Sequence, residues 1–270
     1  MTRATISDDF VDRCRLVAGA ATTSPVVIGA QNLVLLDAST AWRFPLRRAG
    51  CASLGDMADR MAVAGRLGLG VPPVTAVVPG PPGYGHLELA RVSGTPLLTA
   101  LAQGDDVELA VEQALTRLRR TRASQWPFPQ LDWVDMWLNF CATARRHRRE
   151  LPHEDAGRLI AAADRAAAVA RDAPIRVVHG DLASDNIMVG TDGHLAGILD
   201  WDAAVVGDPA IDAAAVLHVV PADVSRRLQS RHPWLRRDLR RWDAYRDTWE
   251  LQNLMWKLGL TPPLWAGTGR

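Results

Sequence analysis

V-V-H-G-D-L-A-S-D-N-I-M-V-G-T-D-G-H-L-A-G-I-L-D, residues Val177 to Asp200, is the stretch from which the fold is read. Val177 and Val178 lead in, and His179-Gly180-Asp181 opens a polar loop that closes at Asn186. Ile187 to Val189 form a second apolar run, Thr191-Asp192-Gly193 supplies turn chemistry, and Leu195 to Leu199 run into Asp200. The pattern predicts strand, loop, strand, turn, strand. Such a scaffold can aim the oxygen-bearing side chains of Asp181, Asn186 and Asp200 into one pocket. Phosphoryl transfer from a nucleotide needs little else: one carboxylate to accept or orient a hydroxyl proton, and an amide oxygen with a second carboxylate to hold magnesium against the phosphates. The competing reading is an ordinary hairpin with surface acids.

Composition sets the bounds. A chain of 270 residues, 48% apolar and 23% charged, is long enough for a substantial core. Its 31 basic and 30 acidic residues nearly cancel, which gives no case for a nucleic-acid binder. The apolar runs are too short to span a bilayer, and the acidic N-terminus does not read as a signal peptide, so a cytoplasmic protein is expected. Cys14, Cys51 and Cys141 form neither a disulfide framework nor a zinc pattern. The sequence has no HExxH pair, no G-x-S-x-G and no Walker-type phosphate loop. Lys257 is the only lysine; arginine supplies every other cation.

Residues 6–18 carry apolar positions at helical spacing, with Ser7 and Asp8 as cap candidates. Short apolar runs at 25–28, 33–36, 41–44, 74–78 and 87–90 then predict a five-stranded antiparallel sheet, interrupted by a helix over about Leu54 to Leu67. Beyond residue 96 helical patterns dominate: one over 107–118, one starting at Val134 and ending in Arg145–Arg149, an alanine-rich one over 155–171, and a last long one over Pro233 to Leu258. The last places Trp242, Trp249 and Trp256 at seven-residue spacing, which reads as a core stripe. Asp208 as N-cap before Pro209 marks another helix start.

H-G-D-x-x-x-x-N at 179–186, I-L-D-W-D at 198–202 and G-D-P-A-x-D at 207–212 together resemble the catalytic core of the aminoglycoside phosphotransferase family, a branch of the protein-kinase-like fold. The resemblance implies an α+β bilobal molecule. A small antiparallel-sheet lobe over 1–91 binds nucleotide, a hinge follows at 92–96, and a larger, mostly helical lobe over 97–270 carries catalysis and acceptor binding. It implies ATP or GTP with Mg2+, Asp181 as catalytic base, Asn186 and Asp200 as metal ligands, and His179 and Asp212 as braces of the catalytic loop. Arg43 stands where the family has a phosphate-gripping Lys or Arg, with Asp56 at the position of its pairing acid. The turn ending at Asn32 corresponds to the one that covers the phosphates, and Leu89 and Ala90 to the hinge whose backbone meets the purine. Asp202, Asp247 and Glu250 are the acids expected near a cationic acceptor.

The missing strand lysine and the V-V-I-G opening are similar to the viomycin and capreomycin kinases, a peptide-antibiotic branch of that family. The expected function is therefore transfer of a γ-phosphate to a hydroxyl of an antibiotic, aminoglycoside or tuberactinomycin-like. A metabolic kinase of sugars, amino alcohols or choline-like acceptors, and a non-catalytic pseudokinase, are the alternatives. The partner is a small-molecule acceptor, with no nucleic acid, membrane or obligate protein partner indicated.

Overall fold

The computed structural model describes residues 6–28, 32–46, 53–81, 83–128, 132–151, 155–182 and 185–260. The first apolar stripe is α1 (Asp8–Ala18), capped by Ser7 and ended by Gly19 in the left-handed region. Five strands follow: β1 (Val26–Ile28), β2 (Asn32–Leu36), β3 (Thr40–Pro45), β4 (Val74–Val78) and β5 (His86–Ala90), with α2 (Leu54–Arg66) between β3 and β4. They make one antiparallel sheet in the order β1-β2-β3-β5-β4. Alternation divides its faces. Leu33, Leu35, Trp42 and Phe44 pack with Val11 and Cys14 of α1, while Leu87 and Leu89 join Met57 and Met61 of α2 on the side that meets the rest of the molecule. Arg43, between Trp42 and Phe44, consequently points to that second side.

The C-terminal part is helical around small strand pairs. β6 (Thr95–Pro96) leads into α3 (Leu97–Gln103), α4 (Glu108–Arg120), α5 (Trp133–Arg146) and α6 (Ala156–Arg171). Then come β7 (Arg176–Val178), β8 (Ile187–Val189), β9 (Leu195–Ile198), β10 (Val205–Gly207), α7 (Ala210–Leu217), α8 (Ala222–Arg231), α9 (Pro233–Arg246) and α10 (Trp249–Lys257). β6, β8 and β9 form one antiparallel sheet and β7 pairs with β10. One core runs from α2 and β5 through α4 to β8, β9 and α7; a second joins α5, α6, α9 and α10.

The expected single helix over 233–258 is two helices. The Thr248 hydroxyl donates to the Tyr245 carbonyl at 2.6 Å and accepts from Gln252, so a side chain takes over the bonding of the helix end. The tryptophan stripe goes with it: Trp242 is half-buried and Trp249 is 43% exposed, while the Trp256 side chain lies outside the described residues. Among the described residues, no helix is long and apolar enough to cross a membrane.

Candidate active site

The site is built where β7 and β9 end and β8 begins. Gly180 has φ +78°, and a Cβ there would lie 2.5 Å from the Ala203 carbonyl oxygen, so only glycine lets the chain turn between His179 and Asp181. The turn joining β8 to β9 closes through Gly190 N–H to His194 O and the Asp192 carboxylate to His194 N–H.

Five hydrogen bonds tie the separate segments together. The buried Asp212 carboxylate accepts the N–H groups of His179 at 2.7 Å and Gly180 at 3.0 Å. His179 Nε2 meets the Leu199 carbonyl at 2.8 Å, which sets its tautomer with the proton on Nε2. Asn186 Nδ2 donates to the Asp181 carbonyl at 2.8 Å, and Leu199 N–H donates to the Asn186 carbonyl at 2.8 Å. Asn186 is thus tied by its side chain to the Asp181 carbonyl and by its own carbonyl to Leu199, the residue before Asp200. Because the Asn186 nitrogen is spent on Asp181, its oxygen is the atom left to act as a ligand.

Burial sets the electrostatics of the braces. It pushes the His179 imidazole down to about 4, so the ring is neutral at neutral pH. It pushes the Asp212 carboxyl up to about 7, against the two N–H bonds that favour its charged form. Trp201, fully buried, lies edge-on to His179 with ring centroids 4.9 Å apart and donates its Nε1–H to the Ile198 carbonyl at 2.9 Å. Trp201 was not singled out from the sequence. A large aromatic directly after a site acid was the available signal.

Asp200 is the only non-glycine residue with positive φ among the described residues, at φ 58° and ψ 70°. Such strain is held only where the surroundings fix it. Arg43, 5% exposed, supplies part of that fixing. Its guanidinium donates to Asp200 Oδ1 at 2.6 Å and, in a fork, to both Asp202 oxygens at 3.1 and 2.8 Å. An oxygen set of Asn186 and Asp200 suits a hard cation such as Mg2+.

The profile of the phosphotransferase enzyme family matches residues 22–256. The chain belongs to that family. The chain is 31% identical to the viomycin phosphotransferase of Streptomyces vinaceus over 145 residues, 48% of this chain and 49% of that protein. The match spans about half the length of that curated relative. Among solved structures, it is similar to the GDP complex of wild-type aminoglycoside 2'-phosphotransferase-IIIa, with a TM-score of 0.69 and 16% identity over 97% of this chain and 96% of that one. It is also similar to a choline/ethanolamine kinase family protein from Mesorhizobium loti, with a TM-score of 0.66 and 17% identity over 93% and 87% of the two chains. Identities this low speak to the fold, which is the expected α+β kinase-like one.

The structure places several expected positions elsewhere than the resemblance implied. Asp56 is exposed and forms a capping box with Ser53, each side chain bonding the other's backbone N–H at 3.1 Å; the acids beside Arg43 are Asp200 and Asp202. Asp202 is paired with Arg43, and burial raises its carboxyl above the usual range despite that cation. Asp247 and Glu250 face α6, where they pair with Arg165 at 3.7 Å and Arg158 at 2.8 Å. Leu89 lies between β3 and β4, paired with Ala41 and Val74, and the Ala90 N–H already donates to the Pro73 carbonyl. Leu89 and the Ala90 N–H are thus taken up by the sheet's own pairing. Asn32 opens β2 opposite Pro45 and is buried, while the preceding residues 29–31 of its turn lie outside the described residues.

Asp208 does more than the sequence suggested. Its Oδ1 accepts the Ala210 N–H and an Arg241 N–H, while its Oδ2 accepts a second Arg241 N–H and the Tyr245 hydroxyl, all within 2.9 Å. Arg241 also reaches Asp238, which pairs with Arg119 at 3.3 Å. Only the Asp238–Arg241 spacing on α9 is local; the contacts to Asp208 and Arg119 join distant segments and leave no mark in the sequence.

Proposed function

We propose that this phosphotransferase moves the γ-phosphoryl group of ATP or GTP to a hydroxyl of a small antibiotic, aminoglycoside or tuberactinomycin-like, and so inactivates it. The observation that supports this reading is the set of hydrogen bonds that ties Asn186 to the Asp181 carbonyl and to Leu199, the neighbour of Asp200. The relative named viomycin phosphotransferase supports the antibiotic class. The lobe boundaries at 91 and 97 belong to the same proposal, supported by the end of β5 at Ala90 and the start of α3 at Leu97.

Asp181 accepts the proton of the acceptor hydroxyl as the new O–P bond forms and the bond from the γ-phosphorus to the β–γ bridging oxygen breaks. Mg2+, when bound, neutralises charge on the phosphate oxygens, and the Asn186 amide oxygen with the Asp200 carboxylate would hold it. Arg43 presents a planar, permanently charged donor to phosphate. His179, neutral and wedged on Trp201, together with Asp212 fixes the loop so that Asp181 keeps its place. A cytoplasmic setting fits a reaction that consumes nucleoside triphosphate. The intact base, the intact ligand pair and the buried Arg43 speak against a pseudokinase.

The test is phosphoryl transfer by the full chain with Mg-ATP and Mg-GTP. One panel holds viomycin, capreomycin and aminoglycosides, and another holds choline, ethanolamine and sugars. Transfer to the antibiotic panel, with raised resistance of an expressing host, is the expected result. Transfer confined to the second panel would make it a metabolic kinase.

A further inference from the structure

We propose that Asp202 is the positioning residue for Arg43, so that the acid which orients the phosphate-gripping cation sits in the short turn directly after the proposed metal ligand Asp200 and not on helix α2. This rests on the phosphotransferase reading above and goes beyond it. Three observations carry it. The Arg43 guanidinium is buried, and both Asp202 oxygens meet it in a two-pronged contact at 3.1 and 2.8 Å. The helix acid at the expected place, Asp56, is exposed and committed to capping α2. The turn that carries Asp202 is itself pinned at both ends. Trp201 is anchored to Ile198 and His179, and the Ala204 carbonyl accepts from Arg60 of α2 at 2.6 Å.

The arrangement also explains why this strand carries arginine. A flat guanidinium can hold both Asp202 oxygens through two nitrogens and still reach Asp200 Oδ1 at 2.6 Å. A lysine ammonium is a point donor on a flexible stem and cannot reproduce that fork. Helix α2 still touches the site, but through Arg60 and a backbone carbonyl. Asp202 therefore orders Arg43 before nucleotide arrives, which lowers the cost of immobilising a long side chain on binding.

The test measures dissociation constants of ADP and ATP by calorimetry for the full chain, in EDTA and again with Mg2+, alongside melting curves that report folding. Asp202→Asn is expected to weaken binding about tenfold in both conditions, the order set by one charge-assisted contact. Arg43→Lys is expected to bind as weakly as Arg43→Ala. Asp202→Asn made in an Arg43→Ala background is expected to add less than about twofold, because the two act as a unit. Asp56→Asn is expected to leave affinity unchanged. If Asp202→Asn does not fold, Asp202→Glu keeps the charge while displacing the fork, and the same loss is expected. Full-strength binding by the Asp202 variant would overturn the inference. A loss seen only with Mg2+ would also overturn it, by making Asp202 a metal ligand. Wild-type protein that binds no nucleotide would sink the phosphotransferase reading together with it.

Discussion

Two of the arginine–carboxylate clusters among the described residues make an instructive pair, built from similar groups in opposite settings. In the first, Asp208, Asp238, Arg119, Arg241 and Tyr245 meet among α4, α7 and α9; both aspartate side chains are fully buried. Every Asp208 lone pair has a donor, which is the condition under which a buried charge is tolerated. In the second, Arg43 joins Asp200 and Asp202, whose side chains are 37% and 30% exposed, and Asp200 is held in a left-handed conformation. The lesson is that satisfaction and exposure, not charge, separate a brace from a site. The helical cluster is closed to further ligands, whereas the Arg43 cluster keeps strained, part-exposed oxygens beside Asn186.

The sharpest way to break the comparison is to damage the closed cluster. Asp208→Asn leaves Arg241 short of its strongest contact and is expected to cost about 3–5 kcal/mol of stability in denaturant unfolding, as breaking a buried pair does. A cost under about 1 kcal/mol would mean that the cluster is not what holds α7 to α9.

The next effect concerns the braces under the catalytic loop, which titrate in opposite senses. His179 ionises at an ordinary 6.5 when unfolded and about 4 when folded. Its contribution is complete above pH 6.5 and is lost as pH falls toward 4. Asp212 goes from an ordinary 3.8 to about 7, so its contribution is complete below pH 3.8 and is lost as pH rises through 7. The two oppose one another between pH 4 and 6.5. Asp212→Asn should therefore unmask a stability that climbs over that interval, by up to about 3 kcal/mol, while His179→Gln should unmask a fall. Parallel pH profiles of melting for both variants would contradict the assignment.

Asp200→Gly sharpens the contrast at the open cluster. Glycine accepts φ 58° without strain, so losing the Arg43 contact should be offset and stability should stay within about 1 kcal/mol of the wild type. Mg2+-dependent transfer should disappear all the same. The smallest effect belongs to Asp56→Ala, which removes one capping bond and should cost about 0.5–1 kcal/mol with nucleotide affinity unchanged.

What was legible in the sequence follows the range of the interactions. Strand, loop, strand, turn, strand over Val177 to Asp200 was readable because every signal in it is local: paired valines, a glycine at the sharp turn, and an Asp-Gly between apolar runs. The five-strand sheet and Ser7 as a cap were readable for the same reason. The Arg43–Asp202 fork was not, since it joins residues 159 positions apart and leaves no periodic trace. Asp56 was misplaced because an acid in a first helical turn serves equally as a cap or as an ion-pair partner, and only the fold decides. The break at Thr248 was hidden because a hydroxyl that ends a helix is silent in an apolar pattern.

The most direct test of the account compares phosphoryl transfer by the wild type with that of Asp181→Ala under saturating Mg-nucleotide and acceptor. The account predicts a fall in kcat of about 10²–10⁴-fold with nucleotide affinity within about twofold, because the base is lost while the cation and phosphate contacts remain. Transfer at the wild-type rate in Asp181→Ala would contradict it.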